Sequence, residues 1–149
     1  MAVKPIPEGY HSVTPYLVVE GAAKLIDFLR QAFDAQETFR MPKPDGTIMH
    51  AELKIGDSMV MMGDASETWK AIPSVLYLYV NDADAVYKRA LQAGATSTME
   101  PADQFYGDRH GSVKDPAGNV WWIATHKEDV PPEELKKRAE AFMKQQSRH

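Results

Sequence analysis

The sequence predicts an α+β fold: two tandem βαβββ modules forming a curved, cleft-enclosing mixed sheet, with a C-terminal helix added. Three observations predict it. The order strand, helix, three strands occurs twice; the two occurrences align at a constant offset; and the chain changes character after His126 into a run opened by prolines.

In the first module, TPYLVV (14–19) is rich in β-branched and aromatic residues and reads as a strand. Glu20-Gly21 breaks it. AAKLIDFLRQAFDA follows, with Leu25, Phe28, Leu29, Ala32 and Phe33 at helical spacing. ETFRMP, a Pro-Asp-Gly turn at 44–46, IMHAELKI, Gly56-Asp57 and SMVMMG then predict three antiparallel strands joined by tight turns. The second module repeats the order with PSVLYLYV, the helix NDADAVYKRALQAGA closed at Gly94, then TSTMEP, RHGSVKD and NVWWIATH. An offset of 61 carries Thr14 to Val75, Tyr16 to Tyr77, Leu17 to Leu78, Met61 to Trp122 and Val60 to Trp121. Identity is low, but the phase of strands and helix agrees, as an internal duplication would leave it. The modules span about 11–65 and 72–126 of a domain covering 11–126. The helical extension, 127–149, carries Glu133 and Glu134 in its first turn and a thin stripe of Leu135, Ala139 and Phe142. It is expected to pack peripherally, on its own domain or on a second subunit.

Composition narrows the function classes. A chain of 149 residues with 44% apolar and 26% charged residues is an ordinary globular domain, long enough to bury about 70% of its unfolded surface. A net charge of −4 lacks the basic stripe that nucleic acid requires. There is no cysteine, so disulfides, thiolate metal sites and cysteine nucleophiles are excluded. No apolar run is long enough for a bilayer and the N-terminus has no signal-type core, so a cytoplasmic protein without nucleic-acid or membrane partners is expected. The G-x-S-x-G, H-E-x-x-H, Walker and dinucleotide signatures are all missing.

The duplicated unit, with its D-P-x-G turn before the last strand, resembles the vicinal oxygen chelate superfamily of glyoxalase I, extradiol dioxygenases, fosfomycin resistance proteins and bleomycin-binding proteins. The stretches HAELKIGDSMVMMGD, YGDRHGSVKDPAGN and WIATH are similar to its PhnB-like branch. In the metal-dependent members of that superfamily, the first and last strands of each module supply His or Glu ligands. Carried over residue by residue, the resemblance places these on Thr14, Met61, Val75 and Trp122. Three of these side chains offer no oxygen or nitrogen donor suited to a divalent ion, and a neutral hydroxyl is a weak one. No metal at the usual site and no other cofactor is expected, save a divalent ion if a displaced site exists.

Strand alternation says what lines the cleft, since one face of each sheet must meet its helix. Leu76, Leu78, Val80, Trp121 and Ile123 are expected to face the helix, leaving Tyr77, Tyr79, Trp122, Ala124 and His126 on the concave side. The same rule sends Met49, Ala51, Leu53 and Ile55 inward, and leaves Tyr16, His50, Glu52, Lys54, Met59 and Met61 toward the cleft. Such an aromatic and methionine-rich surface suits either an apolar ligand pocket, in which rings supply area and thioethers adapt, or a core or dimer interface. Tyr16, Met59, Met61, Tyr77, Tyr79, Tyr106, Arg109 and Trp122 are the expected ligand contacts.

His50 and Glu52, two apart on one strand face, are candidate catalytic residues, as base and orienter or as ligands of a displaced metal; a purely structural pair is the alternative. Asp108 and Arg109 are placed either to clamp a ligand or to fix their loop by a salt bridge. His110 points into the cleft or, with the register one residue on, out of it, the surface being preferred; His126 is assigned to the domain edge, and the Asp115-Pro116-Ala117-Gly118 turn is given no chemistry. The expected protein is a homodimer binding a small aromatic or amphipathic molecule, as bleomycin-resistance-type members do. The alternatives are a lyase, isomerase or dioxygenase-like enzyme using His50 and Glu52 or a displaced metal, and a subunit that serves assembly alone.

Overall fold

The computed structural model describes residues 2–147. The first module comprises β1 (Tyr16–Val19), α1 (Ala22–Phe33), β2 (Gln36–Pro42), β3 (Ile48–Ile55) and β4 (Ser58–Asp64). The second comprises β5 (Val75–Tyr79), α2 (Ala83–Gln92), β6 (Thr96–Asp103), β7 (Asp108–Lys114) and β8 (Val120–His126). A last helix, α3, spans Pro132–Ser147. The strands form two four-stranded sheets, in the orders β1-β4-β3-β2 and β5-β8-β7-β6. In each, the first and last strands of the module run parallel and the remaining pairs antiparallel. Both α+β modules therefore have the predicted order, and β3 has its predicted limits.

The duplication holds at the level of register. Tyr16 lies opposite Met61 and Tyr77 opposite Trp122, each pair displaced from the other by the same 61 residues. The same offset relates the groups that receive the helix N-termini. Gly21, at φ 84°, precedes α1 without a side-chain cap of its own; Asp64 Oδ1 instead accepts from the Gly21 and Ala22 N–H groups at 2.8 and 2.9 Å. In the second module Thr125 Oγ1 accepts from Ala83 N–H at 2.8 Å and donates to the Val80 carbonyl at 2.9 Å. Each closing strand thus supplies acceptors that its helix start would otherwise lack.

The helix-facing sides of both sheets share one core, which includes Leu17, Leu25, Ile26, Leu29, Leu53, Met62, Trp121 and Ile123. Phe33 of α1 packs on Trp121 of β8 at a centroid distance of 5.0 Å. Arg89 of α2 ties the helices together through Asp34 at 2.9 Å and the Gln31 carbonyl at 2.9 Å. The modules meet through their helices, and the opposite faces of the two sheets stay open.

One predicted core residue is not in the core. Met49 is 53% exposed, and Ile48, at 2%, is buried in its place. His50 sits opposite Met41 and Ile48 opposite Pro42, which leaves Met49 unpaired as a β-bulge. The bulge reverses the alternation and brings the Met49 carbonyl over Gly63, where a Cβ would lie 2.7 Å from it. Glycine is required at 63 by that close approach.

The C-terminal extension is peripheral, as expected. No α3 residue is fully buried; Phe142 packs on Phe105 at 5.1 Å, and Arg138 donates to the Phe105 carbonyl at 3.2 Å and to Glu128 at 2.6 Å. None of the helices is long and apolar enough to cross a membrane among the described residues.

Candidate functional site

Each module presents one aromatic face away from its helix. On the first, register places Tyr16, Met61, Glu52 and Phe39 side by side across β1, β4, β3 and β2. Met59 and Lys54 form the next row. The polar groups here form a chain. Tyr16 Oη lies 3.2 Å from His50 Nδ1, His50 Nε2 lies 2.9 Å from Glu52 Oε2, and the Tyr10 hydroxyl donates to Glu52 Oε1. With Glu52 ionised, the consistent assignment is Nε2–H donating to Glu52 and Nδ1 accepting from Tyr16. His50 and Glu52 are therefore brought together as the sequence suggested, with two tyrosines at the ends of the chain.

Beside this face lies a mainly apolar cavity of about 520 Å³, lined by Tyr16, Val18, Lys43, Met49, Gly63, Asp64, Ser66 and Trp69. That volume suits a small organic molecule. Six wall residues escaped the sequence reading, Met49 and Trp69 among them. Met49 enters through the bulge, which alternation cannot foresee, and Trp69 comes from the linker between the modules, where strand logic does not apply. A wider groove of about 640 Å³ runs along the seam between the modules, past Phe33, Lys54, Tyr79, Val86 and Arg89. It shares Lys54 and Tyr79 with the aromatic faces.

The second face is built on Tyr77, Tyr79 and Trp122, with Asp108 and His110 behind them. Tyr77 packs against Tyr79 at 5.1 Å and against Trp122 at 5.8 Å, with inclined rings. Both phenols donate to Asp108 Oδ2, at 2.6 and 2.8 Å, while His126 Nδ1 lies 2.7 Å from Asp108 Oδ1 and Nε2 lies 2.7 Å from Asp129. Asp108 is only 4% exposed. Burial alone would push its carboxyl up, but the bonds from Tyr77, His126 and Tyr79 outweigh it and leave the group below its ordinary value. Burial and then Asp108 hold the Tyr77 phenol above its usual range, and Asp108 does the same for Tyr79.

His126, bonded first to Asp108 and then to Asp129, is raised above the ordinary histidine value of 6.5. A ring so raised adds stability that is complete below that ordinary value and fades as pH rises through its own. The lowered Asp108 acts oppositely: its contribution is present above 3.8 and is lost as pH falls through the folded value. An NMR titration of the imidazole Cε1–H should place the His126 midpoint above 6.5 and move it down in Asp129→Asn. A midpoint unchanged by that substitution would remove Asp129 from the network.

His110, assigned to the surface from sequence, is buried. It stacks on Trp122 at 5.5 Å with planes 7° apart, and its Nε2 lies 2.6 Å from Tyr106 Oη. Its Nδ1 has no partner among the described residues, and burial lowers its proton affinity against the opposing pull of Asp108. Glu52 lies opposite Met61 and Ser112 opposite Trp122, so on the third strand of each module the offset is 60 rather than 61. His50 and His110 are therefore equivalent. The first-strand tyrosines stand beside them at matching centroid distances, Tyr16–His50 at 5.6 Å and Tyr77–His110 at 5.7 Å. A comparison of loop lengths, Gly56-Asp57 against Pro116-Ala117-Gly118, would have exposed the pair in the sequence.

Arg109 turns to the other side of β7. It bonds to Asp84 at 3.0 and 3.1 Å and to Asp103 at 3.3 Å, so the loop salt bridge forms and the guanidinium does not join the aromatic face. Of the four positions to which the resemblance assigns metal ligands, Thr14 precedes β1 and Val75 lies opposite Val120. Met61 faces Tyr16, and Trp122 faces Tyr77. A thioether, an indole, an isopropyl group and one neutral hydroxyl do not make a ligand set for a hard or borderline divalent ion. Among the described residues no three His, Asp or Glu side chains gather at metal-binding distance.

Comparison with known proteins agrees with this architecture. The chain is 38% identical over 135 residues to the uncharacterized protein Mb0911c of Mycobacterium bovis, covering 83% of this chain and 89% of that one. The crystal structure of TioX from Micromonospora sp. ML1 superposes with a TM-score of 0.66 at 26% identity, over 78% of this chain and 98% of that one. A Bacillus cereus PhnB protein, described as a putative 3-demethylubiquinone-9 3-methyltransferase, shares the fold with a TM-score of 0.60 at 17% identity, over 77% and 99% of the two chains. The Glyoxalase/Bleomycin resistance protein/Dioxygenase superfamily model matches residues 9–123, and the chain belongs to that superfamily.

Proposed function

We propose that the protein binds a small aromatic or amphipathic molecule in an apolar cleft walled by an open aromatic face, without a metal at the superfamily's usual ligand positions. The observation that carries this reading is the solvent exposure of large rings and thioethers on both faces. Tyr16 is 46% exposed, Tyr79 60% and Trp122 39%, in rows that the duplication places equivalently. Monomeric proteins rarely leave contiguous apolar surface open unless it meets a partner or a ligand. Tyr16, Met59, Met61, Tyr77, Tyr79 and Trp122 are the proposed contacts, with Met49 and Trp69 extending the wall in the first module. Tyr106 acts through His110, and Arg109 supports the loop from behind.

The same exposure supports a homodimer, in which a second copy covers each open face and completes the cleft. We place the protein in the PhnB-like branch on the strength of HAELKIGDSMVMMGD and YGDRHGSVKDPAGN, and in the cytoplasm on its lack of cysteine.

A titration of intrinsic fluorescence across a panel of aromatic compounds tests the binding reading. Saturable quenching is expected in the wild type, and Trp122→Phe should lose about half or more of the amplitude. No response in the wild type, or an unchanged one in the variant, would sink it.

A second reading rests on the chain Tyr16–His50–Glu52–Tyr10, in which Glu52 orients His50 and Nδ1 could accept a substrate proton once Tyr16 is displaced. Turnover of any bound compound that is abolished in His50→Gln, with binding retained, would favour this enzymatic version.

A further inference from the structure

The two aromatic faces differ in charge. On the first, Lys43 edges the cavity and Lys54 stands beside Met59; the Glu52 oxygens are taken by His50 and Tyr10, and both Asp64 oxygens by backbone N–H groups, Oδ1 by Gly21 and Ala22 and Oδ2 by Ile48 at 2.7 Å. The second face has carboxylates behind it. Asp108 sits beneath Tyr77 and Tyr79 and holds both phenolic protons, so toward the cleft these side chains can offer ring faces and hydroxyl lone pairs but no O–H donor. A phenol that donates to a carboxylate gains electron density, which strengthens the negative potential over its ring. Tyr79 and Tyr77 are inclined by 53°, and Tyr77 and Trp122 by 65°, so the three rings form a corner rather than a stack. Around them stand Asp129, fully exposed, His126 between the two carboxylates, and His110, which burial keeps toward its neutral form. The one arginine of β7 is turned to the opposite side and neutralised by Asp84 and Asp103.

We propose that the corner formed by Tyr77, Tyr79 and Trp122 over the Asp108 carboxylate is a subsite for an organic cation, an ammonium group carried on an apolar body. This deepens the binding reading and rests on it. Three rings within reach of one cation supply cation–π attraction, and the buried carboxylate adds a field that water screens little. An anionic ligand would face Asp108 and Asp129, with His126 already shared between those two carboxylates and the Trp122 indole N–H as the corner's own donor. A neutral ligand of the same shape would gain the apolar contact but not the charge term.

The experiment uses three compounds of matched shape on the full-length protein: benzyltrimethylammonium, neopentylbenzene and phenylmethanesulfonate. Binding is followed by NMR at the Trp122 indole N–H and the tyrosine ring resonances, at fixed pH and salt. The cation is expected to bind about tenfold more tightly than the neutral compound, and the sulfonate more weakly than either. Tyr79→Leu should cut the preference for cation over neutral compound at least fivefold while the protein stays folded. Asp108→Asn, checked by its thermal unfolding, should reduce the same ratio. If the neutral compound binds as tightly as the cation, or if Tyr79→Leu leaves the ratio unchanged, the cation subsite is overturned while the binding reading stands. If none of the three binds, both are overturned.

Discussion

Trp121→Ala is expected to lower the free energy of unfolding by about 3–5 kcal/mol, the range for removing a large buried aromatic side chain. Trp122→Ala, one residue on, should cost only about 1 kcal/mol, the scale of an aromatic pair contact. The difference is geometric. Trp121 is 2% exposed, packs on Phe33 of the other module and donates from Nε1 to Asp115 at 2.8 Å. Its removal opens a cavity where the two modules meet and leaves a carboxylate oxygen short of a donor. Trp122 stands on the open face against Tyr77 and His110, and the space it leaves admits water. Urea unfolding of the two variants measures the contrast. Equal losses would mean that the second aromatic face is part of the core, which would remove the basis of the binding reading.

Asp115→Ala should be nearly as damaging, at about 3 kcal/mol or more, because several donors lose their acceptor at about 1–3 kcal/mol for each one left buried. Asp115 accepts from the N–H groups of Ala117 and Asn119 at 2.8 and 3.0 Å, from Asn119 Nδ2 at 3.0 Å and from Trp121 Nε1. Asn119 in turn accepts from Ser74 N–H at 2.9 Å, which ties the turn to the chain entering β5. Alanine orphans all of the Asp115 donors at once, whereas Asp115→Asn keeps one acceptor oxygen and should cost roughly half as much. Because Trp121 and Asp115 share a hydrogen bond, the double variant Trp121→Phe with Asp115→Asn should fall short of the summed single losses by about 0.5–3 kcal/mol. Additive losses would show that the turn and the core are stabilised separately. The turn is a fastening between the hairpin and the core.

The aromatic faces were legible where the backbone is regular. A period of two assigned Tyr16, Tyr77, Tyr79, Met61 and Trp122 to one side and Leu17, Leu78, Trp121 and Ile123 to the other, and the register agrees. The reading failed where one residue is added or a segment is irregular. Met49 was expected in the core and is turned outward by a bulge. Of the two directions open to His110 the surface was preferred, yet β7 turns it inward beneath Trp122 and beside Tyr106. Trp69 lies in the linker and was not considered. Arg109 was offered either a ligand or a salt bridge, and its place on the far side of β7 selects the bridge to Asp84.

What the sequence determined by itself is what repeats: the order of elements, the duplication, the helix-facing residues and the chemical character of the open faces. These depend on local periodicity, which hydrophobic burial enforces residue by residue. What only the tertiary structure decided is which polar groups meet. Asp108 lies 31 and 29 residues from the tyrosines that donate to it and 18 from His126. Those partners converge because neighbouring strands bring distant positions within hydrogen-bond reach, and such pairing leaves no periodic trace along the chain.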